Sequence, residues 1–209
     1  MIIAIDGPAG SGKSSTARVL AEKLGMIYLD TGAMYRAAAL AVLNKKVDPA
    51  DKEKAAAVVR DITISFSGSI IFLNNMDVSL EIRKDSVNKA VTPVSANSEV
   101  RRIMVDCQRR IGADQDIVVE GRDIGTVVFP GADFKFFMTA DIRTRAKRRL
   151  KETTDDLTLD EVMNDIRRRD EKDSSREYSP LRKADDAVEI DTSTLSFKEQ
   201  IDKILSYIQ

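Results

Sequence analysis

Ile2-Ile3-Ala4-Ile5-Asp6-Gly7-Pro8-Ala9-Gly10-Ser11-Gly12-Lys13-Ser14-Ser15 stands near the start of the chain. The apolar run before Asp6 reads as a buried parallel strand. It leads directly into the pattern G-x-x-x-x-G-K-S. From Lys13 to Leu24 the spacing is helical, with Ala17, Leu20, Ala21 and Leu24 on one side and Gly25 at the stop position. Strand, glycine loop and helix in this order form a cradle for phosphate. Glycine lets the backbone wrap closely and turn successive N–H groups inward. The positive end of the following helix adds to that field. Gly7, Pro8, Ala9, Gly10, Ser11, Gly12, Lys13, Ser14 and Ser15 are therefore the candidate nucleoside triphosphate site. Lys13 has the reach for β- and γ-phosphates, and the Ser14 hydroxyl is the candidate Mg²⁺ ligand, partly through waters.

Outward from this loop the sequence alternates strands and helices. Met26–Leu29, Ile117–Glu120, Phe134–Met138 and Ala187–Ile190 read as further strands. Asp30-Thr31-Gly32 reads as a loop, and Met34–Leu43, Asp51–Arg60, Ser98–Ile111, Asp141–Lys151, Leu159–Asp173 and Phe197–Ile208 read as helices, with Ser98 a candidate N-cap. Alternation of this kind predicts an α/β fold with a central five-stranded parallel sheet covered by helices. One stretch changes period. Ile62, Ile64 and Phe66 alternate with polar residues, turns follow at Ser67-Gly68-Ser69 and Asn74-Asn75, and Val78 and Leu80 continue the alternation. This predicts a small antiparallel β insert.

Composition narrows the chemistry. With 33 Lys+Arg against 34 Asp+Glu the formal net charge is −1, which gives no general attraction to a polyanion and argues against a nucleic-acid binder. Histidine is absent, which removes the Ser-His-Asp triad, a histidine general base and the histidine zinc sites. The lone Cys107 makes no intrachain disulfide and suits a reducing cytoplasm. No apolar run reaches the roughly 18–20 residues of a membrane span, and no signal segment is read. The phosphate loop is shared by GTPases, motors and small-molecule kinases. The GTPase motifs D-x-x-G and N/T-K-x-D are missing and the chain is short for a motor, which leaves a kinase of a small acceptor.

Three more segments follow strands or lie near the C-terminus: Asp30–Arg36, Gly121–Thr126 and Arg167–Arg176. In sheets of this type ligands bind beyond the carboxyl ends of the strands. The pieces GPAGSGKSS, LDTGAMYR, EIR, EVRR, EGRDIGTVVFPGAD and RRRDEKDSSREYSPLRKADDAVEIDTS, in this order over nearly the whole chain, resemble those of the bacterial cytidylate kinases, a family of P-loop nucleoside monophosphate kinases.

The resemblance implies one P-loop kinase domain over 1–209, with a nucleoside monophosphate-binding subdomain inserted at 60–95 and a helical lid at 153–177. It implies transfer of the γ-phosphoryl group of ATP to CMP or dCMP with Mg²⁺. Thr31, Tyr35 and Arg36 correspond to acceptor-site residues, with serine more usual where Thr31 stands. Thr92 and Arg101 fall at cytosine-contacting positions, and Thr92 too replaces an expected serine. Arg122 matches a phosphate-binding arginine, Asp123 a base-reading carboxylate, Arg169 and Asp173 sugar-holding residues, and Arg176 one at the phosphates. Lys13, Arg122, Arg169 and Arg176 are thus the implied catalytic charges.

These roles make physical sense. An aspartate accepting from the exocyclic amine, beside a donor, reads the edge of cytosine, and uracil would oppose an oxygen to it. The alternatives are another nucleoside monophosphate kinase, with UMP, AMP or dTMP as acceptor, or a non-enzymatic P-loop protein. Arg36 could be a solvated helix residue, and Arg122 with Asp123 a structural ion pair. Asp30 and Glu120 fit either groups around metal-bound water or caps. The basic run Arg143–Lys151 reads as an exposed helix face, Cys107 as a small core or helix residue, and Phe134, Phe136 and Phe137 as sheet core. A monomer is expected, without nucleic-acid or membrane partners.

Overall fold

The computed structural model describes residues 1–152 and 157–208. The first four residues of the lid expected at 153–177 lie outside the described residues. Two compact units make up the chain, one of residues 1–29 and 116–209, the other of residues 30–115.

The first unit carries β1 (Ile2–Asp6), α1 (Lys13–Leu24) and β2 (Ile27–Asp30). The second supplies α2 (Thr31–Asn44), α3 (Lys52–Arg60), β3 (Ile64–Ser67), β4 (Ile70–Leu73), β5 (Met76–Asp77), α4 (Asp85–Ala96) and α5 (Ser98–Gly112). The chain then returns to the first unit with β6 (Ile117–Gly121), β7 (Phe134–Thr139), α6 (Ile142–Glu152), α7 (Leu159–Ser174), β8 (Val188–Asp191) and α8 (Phe197–Ile208).

The expected five-stranded parallel sheet is present, in the order β2-β6-β1-β7-β8. β1 lies at its centre and is shielded on both faces, which is why Ile3, Ala4 and Ile5 form an unbroken apolar run. α1 and α8 bury Ala17, Leu20, Ala21, Ile201 and Ile204 in the same cluster as Phe136, Met138 and Ile190. In register, Asp6 stands opposite Gly121 of β6 and Phe137 of β7. The loops after β1 and β6 therefore leave the sheet side by side.

In the second unit β3, β4 and β5 form the expected small antiparallel sheet. Asn74 and Asn75 turn the chain between β4 and β5 with φ of 50° and 66°, the conformation a two-residue hairpin turn requires. Three local expectations need correction, and one helix is additional. The alternation holds through the buried Val78 and ends after it: the Asp77 carboxylate accepts from Ser79 N at 2.9 Å and bends the chain, so Leu80 is 79% exposed. Thr31 and Gly32 are helical, not loop, because Asp30 caps α2 by accepting from Ala33 N at 2.7 Å. Asn97, not Ser98, caps α5, accepting from Glu99 N at 3.1 Å while its amide donates to Lys52 O at 2.7 Å. The helix over Asp85–Ala96 has no counterpart in the sequence reading. Val87, Ala90 and Val94 bury one face of it, although Pro93 reads locally as a breaker.

Candidate active site

The loop between β1 and α1 has the geometry its glycines predict. Gly7, Gly10 and Gly12 take φ of 148°, 74° and 94°. A Cβ on Gly7 would stand 2.1 Å from the Met138 carbonyl oxygen, so no other residue fits there. Gly12 caps α1, whose first turn holds no acidic residue, so the positive end of the helix is left for an anion. Ser15 lies exposed in that first turn.

Three consecutive carbonyls of the loop are held from outside. Arg145 Nη1 donates to Ala9 O at 3.2 Å, Arg148 Nη1 approaches Gly10 O at 3.5 Å, and Thr192 Oγ1 donates to Ser11 O at 3.1 Å. Turning carbonyls outward onto these donors is the counterpart of turning amides inward toward a phosphate. Arg145 also pairs with Asp170 of α7 at 2.5 Å, and Arg148 Nη2 donates to Thr192 O at 2.8 Å. The exposed-face reading of Arg143–Lys151 therefore holds for Arg143, Lys147, Arg149 and Lys151 but not for Arg145 or Arg148. Their spacing of three on one helix was the available signal.

Lys13 Nζ donates to Pro8 O at 2.7 Å. Burial, and then the nearby charge of Arg122, pulls its pKa down to about 7. Ser14 Oγ donates to Glu120 Oε1 at 2.6 Å, and Tyr28 donates to the same oxygen at 3.2 Å. Glu120 is the penultimate residue of β6, and its bond to Ser14 puts a carboxylate beside the phosphate loop.

The residues after β6 form a charged cluster with α7. Arg122 Nε donates to Asp173 Oδ2 at 2.8 Å, and Arg176 donates to the other oxygen of the same carboxylate. Burial alone would raise the Asp173 pKa, but the charges of Arg122, Arg176 and Arg169 hold it below the ordinary carboxylate value. Arg169 lies about one helical turn before Asp173 and adds its charge at Lys13 as well. Asp123 is buried. Its main-chain carbonyl accepts from Val127 N at 2.8 Å and Val128 N at 3.1 Å, within a short π-helical turn over Ile124–Val128. Asp6, which the sequence reading passed over, accepts from Ile124 N at 2.8 Å and Gly125 N at 2.7 Å. Its pKa is raised to about 6 by burial, against those two hydrogen bonds. The phosphate loop, Arg122, Asp123, Arg169, Asp173 and Arg176 all belong to the first unit.

The remaining candidates belong to the second unit. Thr31 is buried in the first turn of α2. Arg36 Nη2 meets Asp30 Oδ2 at 3.4 Å, and Gly32 lets the pair approach, since a Cβ there would stand 3.2 Å from Asp30 and 3.3 Å from Arg36. Arg101 is buried on α5, its Nη1 donates to Ser95 O at 3.3 Å, and its guanidinium lies 5.2 Å from the centre of the Tyr35 ring. Thr92 is exposed on α4, and its carbonyl accepts from Ser95 Oγ at 3.3 Å. Arg101, Tyr35 and the end of α4 are thus brought together. Cys107 is half-buried, and burial raises its thiol pKa.

A family model described as cytidylate kinase matches residues 3–209. The chain belongs to the cytidylate kinase family. It is 46% identical to a cytidylate kinase of Caldanaerobacter subterraneus subsp. tengcongensis, over 99% of this chain and 94% of that one. It is 43% identical to a cytidylate kinase of Clostridioides difficile strain 630, over 100% of this chain and 98% of the relative. Membership in the cytidylate kinase family makes the chain a nucleotide-binding phosphotransferase. Among solved structures, an uncharacterized protein from Eubacterium ventriosum matches with a TM-score of 0.57 at 15% identity, over 100% of this chain and 98% of that chain. Shikimate kinase from Bacteroides thetaiotaomicron matches with a TM-score of 0.52 at 10% identity, with the same coverage. At such identities the likeness concerns the fold alone.

Proposed function

We propose that the chain transfers the γ-phosphoryl group of ATP to CMP or dCMP, giving ADP and CDP or dCDP. The observation that carries this reading is the cluster of Arg122, Asp173 and Arg176 beside the phosphate loop and Lys13, in a chain whose whole length matches the cytidylate kinases. An oxygen of the acceptor phosphate attacks the γ-phosphorus, and the bond to the β-bridging oxygen breaks. The attacking oxygen is already ionised, so no general base is needed, and a chain without histidine loses nothing. The protein's work is positioning and charge, since little covalent chemistry remains to it.

Under this reading Gly7–Ser15 hold the triphosphate. Lys13, Arg122, Arg169 and Arg176 surround the phosphates with positive charge. Asp123, Thr92 and Arg101 read the cytosine, Asp173 with Arg169 holds the sugar, and Thr31, Tyr35 and Arg36 complete the acceptor contacts. Residues 60–95 form the acceptor-side subdomain and 153–177 a lid that excludes water. The enzyme works as a monomer in the cytoplasm, with no nucleic-acid or membrane partner. In support of the absence of a nucleic-acid partner, the net charge is near zero.

Mg²⁺ fits the donors present. The Ser14 hydroxyl and the Glu120 carboxylate beside it are hard oxygens. When bound, the ion neutralises charge on the β- and γ-phosphate oxygens. An ADP-release assay with ATP and Mg²⁺ tests the reading. CMP and dCMP are expected to be the best acceptors in a panel with UMP, AMP and dTMP. A best rate with one of the other three moves the assignment to a different monophosphate kinase, and ATP binding without acceptor-dependent release overturns it.

A further inference from the structure

Asp6 is the last residue of β1, and Gly7 opens the phosphate loop directly after it. At 4% exposure it is among the most deeply placed carboxylates of the sheet's carboxyl edge. Each of its oxygens receives one main-chain N–H, from Ile124 at 2.8 Å and from Gly125 at 2.7 Å. These are the two amides that follow Asp123. On the other side, the Asp123 carbonyl is fixed by Val127 N and Val128 N. Asp123 is therefore held between two sets of main-chain hydrogen bonds, and Asp6 supplies one of them from another strand.

The residue types suit this clamp. A carboxylate offers two acceptors at once, and bonds to an ionised acceptor are the stronger kind. An amide at the same place would present an NH₂ to one of the two N–H donors. Gly125 brings its backbone close because it lacks a side chain: a Cβ there would meet Lys135 Cδ at 3.2 Å and Asp6 Oδ2 at 3.5 Å. Burying a carboxylate is costly, and these two hydrogen bonds offset part of that cost.

We propose that Asp6 is a positioning residue for acceptor recognition: by gripping the two amides behind Asp123 it fixes the orientation of Arg122 and Asp123 at the same point from which the phosphate loop departs. The inference rests on the reading of Asp123 as the group that recognises cytosine.

The test is Asp6→Asn, compared with Asp123→Ala and wild type, with KM and kcat measured for CMP, UMP and ATP. The expected result for Asp6→Asn is a KM for CMP raised about 10-fold or more, a narrowed preference for CMP over UMP, and a KM for ATP within about 2-fold of wild type. Equal rises for CMP and ATP, or an unchanged preference while Asp123→Ala narrows it, would overturn the positioning role and leave the reading of Asp123 intact. If neither variant changes the preference, the reading of Asp123 itself fails, and the inference with it. Hydrogen exchange in the folded wild type gives an answer even where the variant does not fold. The Ile124 and Gly125 amides are expected to be protected as strongly as those of β1, and exchange at the rate of an open loop would overturn the clamp.

Discussion

Arg122 and Arg176 share one carboxylate: Asp173 accepts from Arg122 Nε at 2.8 Å through one oxygen and from Arg176 through the other. Two like charges that would repel each other are held together by a buried anion between them. This holds both guanidinium groups on one carboxylate, with the Arg122 charge also felt at Lys13 of the phosphate loop.

Removing that anion has a cost with a definite pH dependence. The folded-state pKa of Asp173 lies below its ordinary value of 3.8, so its contribution to stability is present above about pH 4 and is lost as pH falls through the folded value. Asp173→Asn is expected to lower stability by about 3 kcal/mol at pH 7. In thermal melts the gap to wild type should shrink toward pH 3. A gap that stays constant with pH would show that the pairing is not its source.

Lys13 acts with the same sign at the other end of the pH scale. Its pKa is lowered to about 7 by burial and by Arg122, so between pH 7 and the unfolded value near 10.5 the folded chain binds fewer protons and gains stability as pH rises. A triphosphate placed against Nζ raises the pKa again. ATP binding at pH 8 is therefore expected to take up protons, and affinity should weaken as pH rises further. Calorimetry in two buffers of different ionisation enthalpy measures this; proton release at pH 8 would contradict it.

Arg145 gives a prediction that the sequence alone did not. Arg145→Ala leaves Asp170 without its partner and the Ala9 carbonyl without its donor. Stability should fall on the order of 2 kcal/mol, and the KM for ATP should rise about 10-fold. Lys147→Ala, on the exposed side of the same helix, should match wild type in both.

Glu120→Gln removes the charge that faces the Ser14 hydroxyl. Groups that orient a metal ligand are typically worth about 10- to 100-fold in metal affinity or activity. The Mg²⁺ concentration for half-maximal rate is expected to rise about 10-fold. An unchanged Mg²⁺ requirement would reduce Glu120 to a partner of Ser14 and Tyr28.

The difference between what was legible in the sequence and what was not follows from the range of the interactions. The phosphate loop was legible because its glycines answer to local backbone geometry: Gly7 is dictated by the Met138 carbonyl that leaves no room for a side chain. β1 and β6 were legible because strands buried on both faces of a sheet read as apolar runs. Leu80 misled because its alternation is local, whereas the end of the sheet is set by the turn at Asp77. The helix over Asp85–Ala96 carries Pro93 inside it and is held by the buried face of Val87, Ala90 and Val94. Asp6, Arg145 and Arg148 carry no motif of their own. Their partners at Ile124, Gly125, Ala9 and Thr192 lie more than forty positions away along the chain and meet them only in the folded state.

Recognition of the acceptor by a phosphate-loop kinase rests, under the proposed function, on Asp123. The most direct measurement is the ratio of kcat/KM for CMP to that for UMP, in wild type and in Asp123→Ala. A site built to hydrogen-bond a substrate group rejects analogues lacking it by orders of magnitude, so the account predicts a strong wild-type preference for CMP that falls by about 100-fold or more in the variant. A wild-type preference for UMP, or a ratio that Asp123→Ala leaves unchanged, would contradict it.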